Sequence, residues 1–189
     1  MKKNKKKIQK KTKKRIIGRE IWEELRIIFI VLIAVILIQR FLIINARIPS
    51  ESMKNTIMIG DQIFGNRLAY KFEDPQRFDI VIFRYPDNEE QLFIKRIIGL
   101  PEETVNIKKG KVYINDSKEP LNDSFCFETP LDADNGVYRV PKNSYFLLGD
   151  NRNLSMDSRF WINKYVNKNK ILGKAVLCYW PFHRIKTLH

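Results

Sequence analysis

The chain has 189 residues, and its hydrophobic content of 44% and aromatic content of 12% suffice for one folded domain with appendages and exclude a disordered protein. The formal net charge of +14 is typical of a nucleic-acid binder. However, residues 1–19 hold 11 of the 35 Lys and Arg and no acid. The other 170 residues carry 24 bases and 21 acids, which nearly balance. The charge belongs to a tail, so we expect no nucleic-acid partner.

Cysteine and histidine are scarce, and their positions limit the possible chemistry. Cys126 and Cys178 allow one disulfide or none, and their spacing leaves both open. The chain has no zinc-binding pattern, and we expect neither a metal nor a cofactor. His183 and His189 lie near the C-terminus, which disfavours a Ser-His-Asp triad because that triad needs a histidine on a rigid element.

An apolar run follows the basic tail, which we assign to residues 1–20. Residues 27–38 are apolar without interruption, and the longer stretch 25–44 has its polar residues near its two ends. Twenty helical residues are about the length needed to cross the hydrocarbon core. The pattern predicts a transmembrane anchor within residues 21–44. The positive tail places the N-terminus in the cytoplasm and residues 45–189 outside the membrane.

A cleavable signal peptide is the alternative, since it also has a basic start and a short apolar core. The residues that follow the run, 43–47, read Ile-Ile-Asn-Ala-Arg. They lack the small-x-small pattern of a cleavage site, which favours a retained anchor.

The body of the chain is predicted to be mainly β, with antiparallel strands, because short apolar and branched stretches recur between turn residues. The stretch 105–114 alternates about Lys109-Gly110 and predicts a hairpin. The other predicted strands are residues 79–83, 91–98, 137–140, 144–148 and 171–179.

Two serines follow the apolar run closely. Ser52 lies eight residues beyond Ile44, so an anchor would hold it near a membrane surface. Ser50 could offer its hydroxyl to an oxyanion, together with the backbone amide of Ser52. Taken alone, the Ser-x-Ser pattern favours an ordinary loop, because serines are common in loops.

Lys95 lies within a predicted strand, on the same face as Phe93 and Ile97. A partly desolvated lysine has a lowered pKa, and a pKa near 8 corresponds to about 3 kcal/mol of differential solvation. A neutral amine can accept the proton of a serine hydroxyl, which is the task of histidine in other hydrolases. The alternative is an edge-strand lysine that reaches to solvent.

A dense polar loop, residues 149–159, follows the apolar strand 145–148. Asp157 and Arg159 could pair and fix the shape of the loop, and Ser155 could hydrogen-bond an amine. An ordinary solvated turn is the alternative.

Five segments together resemble the type I signal peptidases, which are membrane-bound serine proteases with a Ser-Lys dyad. Residues 49–56, Pro-Ser-Glu-Ser-Met-Lys-Asn-Thr, are similar to the family's Pro-Ser-x-Ser-Met-x-Pro-Thr. The other matching blocks, in the family's order, are residues 60–64, 77–83, 95–101 and 149–159. The resemblance covers the predicted anchor and nearly the whole body, in the compact form of the family without a large insertion.

The resemblance implies roles for named residues. Ser52 would be the nucleophile and Lys95 the general base, and Ser50 would contribute to the oxyanion hole. Ser155 would orient the Lys95 amine, and Asp157 with Arg159 would brace the loop. Two shallow pockets would select small side chains at the first and third positions before the cut. The residues expected to line these pockets are Ile48, Pro49, Ile57, Ile63, Ile82 and Ile94.

Three positions depart from the family pattern. Asn55 replaces the usual proline, Glu102-Glu103 replaces the usual Gly-Asp, and Ile162-Asn163 follows Trp161 where glycine is common. None is a catalytic position, so the resemblance implies an active enzyme.

The expected fold is a signal-peptidase-type antiparallel β domain behind one N-terminal transmembrane helix, located at the cell membrane. The expected partners are preproteins that bear signal peptides, membrane lipid and the protein-export translocon. A self-cleaving Ser-Lys repressor is disfavoured because the apolar run stands where such proteins carry a DNA-binding domain. The remaining alternative is an inactive membrane-anchored homologue that acts as a binding module.

Overall fold

The computed structural model describes residues 2–126, 128 and 135–188, with side chains from residue 21 onward. The chain divides after Leu42 into two compact units. The first contains helix α1, Lys2–Phe41, whose apolar side chains in the run 27–38 are exposed. Within these described residues, no helix has both the length and the apolar character that crossing a membrane requires. The predicted transmembrane helix is therefore not confirmed.

The second unit is built from two antiparallel sheets. The larger sheet has eight strands in the order β1-β2-β10-β3-β4-β8-β9, with β11 paired to β10, and the smaller has the order β6-β5-β7. The strands are β1 (Ile43–Arg47), β2 (Gln62–Asn66), β3 (Ile80–Tyr85), β4 (Asn88–Gly99), β5 (Thr104–Lys108), β6 (Lys111–Ile114), β7 (Gly136–Arg139), β8 (Ser144–Leu148), β9 (Val166–Asn167), β10 (Ile171–Trp180) and β11 (Lys186–Thr187). The helical segments are α2 (Ala69–Phe72) and the 3-10 turns Arg152–Leu154, Lys168–Lys170 and Phe182–Arg184.

The mainly β, antiparallel prediction is confirmed. The predicted hairpin is β5 and β6, in which Val105 pairs with Ile114 and Lys108 with Lys111. Gly110 has φ +70°, a conformation that glycine adopts at little cost and that this tight turn requires. β4 extends three residues further toward the N-terminus than its apolar pattern indicated, because the exposed Asn88 still pairs with Tyr85 of β3.

Apolar packing fixes the segment that follows β1. Met53 and Ile57 are fully buried in one cluster with Ile48, Ile63 and Cys178. Burial of a large apolar side chain contributes about 1.5–3 kcal/mol, so these residues hold the intervening turn on the sheet. Cys178 and Cys126 are both free thiols.

A buried ion pair joins three separate segments of the second unit. Arg96 on β4 donates two hydrogen bonds to the Asp150 carboxylate, at 2.8 Å from Nε to Oδ1 and 2.7 Å from Nη2 to Oδ2. Thr56 Oγ1 donates to the same carboxylate at 2.5 Å. The Arg96 and Asp150 side chains are 3% and 0% exposed. The turn after β1, strand β4 and the loop after β8 are thus fastened at one point.

Replacing Arg96 by methionine is expected to lower the free energy of unfolding by about 3–5 kcal/mol, because the Asp150 charge stays buried without its partner. Chemical denaturation of the full-length protein in detergent, followed by tryptophan fluorescence, measures the loss. Lys142→Met is the matched control, because Lys142 and Glu102 form an exposed ion pair at 3.6 Å. Such an exposed pair contributes less than about 1 kcal/mol to the free energy of unfolding. Equal effects of the two substitutions would contradict a structural role for the buried pair.

Candidate active site

Ser52 lies in the turn that follows β1 and is only 5% exposed. The turn is closed by the Ile57 amide, which donates to the Met53 carbonyl at 2.7 Å. The Asn151 amide donates to the Ser52 carbonyl at 3.1 Å, and the Asn151 side chain donates to the Glu51 carbonyl at 3.2 Å. The backbone around Ser52 is therefore held both by its own turn and by the loop after β8.

Lys95 lies on β4, where it pairs with Val81 of β3, and is 4% exposed. Its Nζ is 2.6 Å from Ser52 Oγ and 3.1 Å from the Ile94 carbonyl oxygen. The Phe93 ring, on the same face of the strand, lies with its centroid 5.5 Å from Nζ. The structure thus brings together two residues that are 43 positions apart in the sequence.

Burial lowers the pKa of the Lys95 amine to about 8, because an ammonium loses hydration when it is enclosed. The carboxylates of Asp157 and Asp150 act in the opposite direction and favour the charged form. The balance leaves a substantial fraction of Lys95 neutral near physiological pH. A neutral amine in contact with a hydroxyl can accept its proton.

Ser50 stands beside Ser52, with 3.4 Å between the two hydroxyl oxygens. This places a second hydroxyl at the point where Ser52 would react. A hydroxyl there can donate to an oxyanion.

Asp157 and Arg159 form a buried ion pair in the loop after β8. Arg159 Nε donates to Asp157 Oδ1 at 2.8 Å and Nη2 donates to Oδ2 at 2.9 Å. Arg159 also donates to the Arg152 carbonyl at 2.6 Å, and the Gly149 amide donates to Asp157 at 3.1 Å. Such charge-assisted bonds give the loop a defined shape.

Ser155 is buried, but its hydroxyl has no hydrogen-bond partner among the described residues. The contact with the Lys95 amine that the resemblance implies is therefore not formed in this structure. Ser155 does pack against Gly149, where a Cβ would lie 2.2 Å from Ser155 Oγ and 2.4 Å from the Ser52 carbonyl oxygen. The absence of a side chain at Gly149 allows the two segments to approach this closely.

An apolar cleft of about 280 Å³ adjoins Ser52 and Lys95. Four of the six residues expected in the substrate pockets line it, namely Ile48, Pro49, Ile82 and Ile94. Ile57 and Ile63 do not line this cleft, and both are fully buried in the core. The resemblance to the family suggested a pocket role for both residues, but an apolar side chain suits the core equally well.

The cleft also contains residues that sequence reasoning missed. The missed residues are Ala46, Arg47, Leu92, Phe93, Leu154 and Met156. Leu92 alternates with Ile94 along β4, and Leu154 and Met156 flank Ser155. The strand spacing could have indicated Leu92, since alternate residues of a strand share a face, and the position beside Ser155 could have indicated Leu154 and Met156.

The departures from the family pattern have structural explanations. Asn55 has φ +81° and Glu102 has φ +67°. Proline cannot adopt positive φ, so the turn at Asn55 has a conformation that the usual proline excludes.

Glu103 accepts hydrogen bonds from Arg77 at 2.5 Å and from the Leu100 amide at 2.8 Å, which gives it a structural role. Ile162 and Asn163 donate their amides to Asp87.

The geometry around Ser52 and Lys95 defines a class of protein. A buried serine hydroxyl is within hydrogen-bonding distance of a buried amine with a pKa of about 8, and both line an apolar cleft. This is the arrangement of a serine hydrolase that uses lysine as its base. Within the described residues, no group of three or more His, Cys, Asp or Glu side chains is placed to hold a metal ion.

Comparison with known proteins identifies the family. Residues 21–180 match the family described as "Signal peptidase, peptidase S26". A signal peptidase I of Leptolyngbya laminosa is 40% identical over 75% of this chain and 70% of its own length. The signal peptidase I P of Bacillus subtilis subsp. natto is 34% identical over 86% of this chain and 90% of its own. A solved signal peptidase I structure from Enterococcus faecalis V583 is 32% identical, covers 54% of this chain and 97% of that chain, and has a TM-score of 0.47.

The chain belongs to the signal peptidase family, peptidase S26. Membership makes it a serine endopeptidase with signal peptidase activity. The sequence-based predictions of family and activity are therefore confirmed.

Peptidase activity is expected to rise with pH through a midpoint near 8, because the Lys95 amine that contacts Ser52 can accept a proton only in its neutral form. At pH 6 the value of kcat/KM should be about one hundredth of its alkaline plateau, since each unit below the pKa lowers the neutral fraction about tenfold. Initial rates on a peptide substrate across this pH range test the prediction. A midpoint near the ordinary lysine value, with no inflection near 8, would contradict it.

Proposed function

We propose that Ser52 and Lys95 form the catalytic dyad of this signal peptidase. The observation that carries the proposal is the 2.6 Å contact between Lys95 Nζ and Ser52 Oγ, with both side chains buried at the edge of the cleft. A serine hydroxyl is a weak nucleophile until a neighbouring base removes its proton. Lys95 is the group in contact that can do so.

The proposed reaction proceeds in two stages. Ser52 Oγ attacks the scissile carbonyl carbon while Lys95 Nζ takes the hydroxyl proton. The resulting oxyanion accepts hydrogen bonds from the Ser50 hydroxyl and the Ser52 amide. Lys95 then gives its proton to the departing amine, which leaves an acyl-enzyme. In the second stage Lys95 activates a water, which attacks the ester and releases Ser52.

Supporting roles fall to the loop after β8. We assign the ion pair of Asp157 and Arg159 to holding this loop against the Ser52 turn. Ser155 is proposed to orient the Lys95 amine during the reaction. Its buried hydroxyl supports this role, because a buried polar group without a partner costs about 1–3 kcal/mol and gains most from a new hydrogen bond.

The substrate is proposed to bind as an extended strand. Among the described residues, β1 pairs only with β2, and residues 92–95 of β4 pair only with β3, so each presents an open backbone edge to the cleft. An extended peptide can pair with such edges and place alternate side chains in the cleft. The limited volume favours small side chains at the first and third positions before the cut, in preproteins that bear signal peptides.

The peptidase is also proposed to be held at the cell membrane, with residues 1–20 as a cytoplasmic tail, 21–44 as a single-pass anchor and 45–189 as the extracytoplasmic domain. The support is the exposure of the apolar side chains in the run 27–38, which are 41–62% exposed where the values are given. Water disfavours so large an exposed apolar surface. Membrane lipid and the protein-export translocon are the proposed partners there.

Alkaline carbonate extraction of membranes from cells that produce the full chain tests the anchor, and the protein is expected to stay in the membrane pellet. Leu32→Arg should release a larger fraction, because a central arginine costs about 2.5–3.5 kcal/mol of insertion free energy. The matched control is Ile162→Arg, at a residue that is 88% exposed in the second unit. This substitution should not increase the released fraction. Complete release of the unaltered protein would overturn the spanning anchor.

Ser52→Ala and Lys95→Ala should each lower kcat/KM by at least about 1,000-fold on a preprotein with small residues at the two selective positions, since each removes one member of a unit that acts together. Gel analysis of cleavage by the purified full chain measures this. Ser117→Ala and Lys108→Ala, on exposed residues, are matched controls and should retain full activity. Activity close to that of the unaltered enzyme in either dyad variant would refute the proposed dyad.

A further inference from the structure

A short segment that follows the smaller sheet's strand β6 packs against Arg96, the sequence neighbour of Lys95. It comprises residues 121–126, which we call the 121–126 segment, and it follows β6. The Leu121 amide donates to the Val112 carbonyl at 2.7 Å, and the Cys126 amide donates to the Asp123 carbonyl at 2.8 Å. Asp123 forms an ion pair with Arg152 of the loop after β8, with 2.9 Å between Asp123 Oδ2 and Arg152 Nη1. The segment is therefore fixed at its start by the smaller sheet and near its end by the loop after β8.

Phe125 of this segment lies over the buried ion pair. Its ring centroid is 4.2 Å from Cζ of Arg96 and 5.9 Å from Cζ of Arg152. On a further side, the ring packs edge-on against Phe78 with 5.5 Å between centroids, and Phe78 provides the carbonyl that accepts from Arg96 Nη1 at 2.8 Å. A guanidinium is attracted to an aromatic face at this distance, more strongly when water is excluded.

Arg96 is the neighbour of Lys95 in the sequence, and the two side chains lie on opposite faces of β4. The Arg96 guanidinium neutralises Asp150, one of the two carboxylates that stabilise the charged form of Lys95. The charged and titratable groups around this pair are Lys95 from β4, Arg152, Asp157 and Arg159 from the loop after β8, and Asp123 and Cys126 from the 121–126 segment.

We propose that Phe125 is a positioning residue of the active site, because its ring holds the Arg96 guanidinium on Asp150 and keeps water from the rear of the Ser52–Lys95 pair. Phe125 touches neither of the two proposed catalytic residues and acts through Arg96. The inference rests on the proposed dyad and extends it to a residue outside the motifs that identify the family.

Removal of the Phe125 ring has two physical consequences, and both raise the pKa of Lys95. Water gains access to Arg96, so that Asp150 is less completely neutralised and favours the protonated form of Lys95 more strongly. Hydration from the same side also favours the charged ammonium. The enzyme should therefore need a higher pH to reach the same fraction of neutral Lys95.

The test compares the pH dependence of kcat/KM for the full-length enzyme with that of Phe125→Ala. The midpoint is expected to rise by about half a unit to one unit, which lowers kcat/KM at pH 7 by about 3- to 10-fold and leaves most of the alkaline plateau. Phe125→Tyr keeps an aromatic face over Arg96 and should restore the midpoint. Phe72→Ala removes a ring that is 87% exposed and should leave both midpoint and rate unchanged.

Cys126 supplies an independent measurement in the same variants. Its thiol is half-buried beside Phe125, whereas Cys178 is fully buried in the core. Phe125→Ala should raise the rate of Cys126 alkylation by iodoacetamide several-fold, while Cys178 stays unreactive. If Cys178 also becomes reactive, the variant has lost its fold, and the smaller change Phe125→Leu then replaces it in the same pH and labelling experiments.

A folded Phe125→Ala or Phe125→Leu enzyme with an unchanged midpoint would overturn the inference, whatever its rate. An equal loss of activity at all pH values would do the same, because it would indicate a structural role alone. The failure of the proposed dyad is distinct, since it would show as activity in Ser52→Ala or Lys95→Ala.

Discussion

The buried carboxylate of Asp150 is the constraint on which the catalytic half of this fold depends. It accepts two hydrogen bonds from Arg96 and one from Thr56, across sequence separations of 54 and 94 residues. A buried charge is tolerated only where its partners are in place. The turn that carries Ser52, the strand that carries Lys95 and the loop after β8 must therefore assemble together. That requirement sets the serine beside the lysine before any substrate arrives.

The electrostatics of the site follow from how its carboxylates are paired. Asp150 faces Arg96, and Asp157 faces Arg159, in each case through two hydrogen bonds from the guanidinium group. Both carboxylates favour the charged form of Lys95, yet burial outweighs them and lowers its pKa to about 8. The arginines take the carboxylates as direct partners, and the lysine amine meets the serine hydroxyl instead. The site thereby holds an amine with a pKa of about 8, low enough for proton transfer near neutral pH.

The departures from the family pattern show how local substitutions are absorbed. Asn55 and Glu102 occupy left-handed backbone conformations, which asparagine accepts more readily than most residues and glutamate less so. The neighbouring Glu103 bonds both Arg77 and the Leu100 amide, so the turn after β4 remains anchored. The sequence shows that these positions differ from the pattern. The backbone conformation that each one adopts depends on the surrounding contacts.

The amino-acid sequence was enough to predict the family, the mainly β character, the hairpin of β5 and β6 and the residues of the proposed dyad, because strand alternation, the turn glycine and ordered motifs are local in the chain. Which apolar residues face the cleft could be seen only in the tertiary structure. Ile57 and Ile63 lie in the core, while Leu154 and Met156 line the cleft. The tertiary structure also shows that Ser155 makes no hydrogen bond to the described residues and that Phe125 covers Arg96. Burial and contact depend on segments that come together only after folding. Contacts between distant segments produce no periodic pattern in the sequence from which they could be predicted.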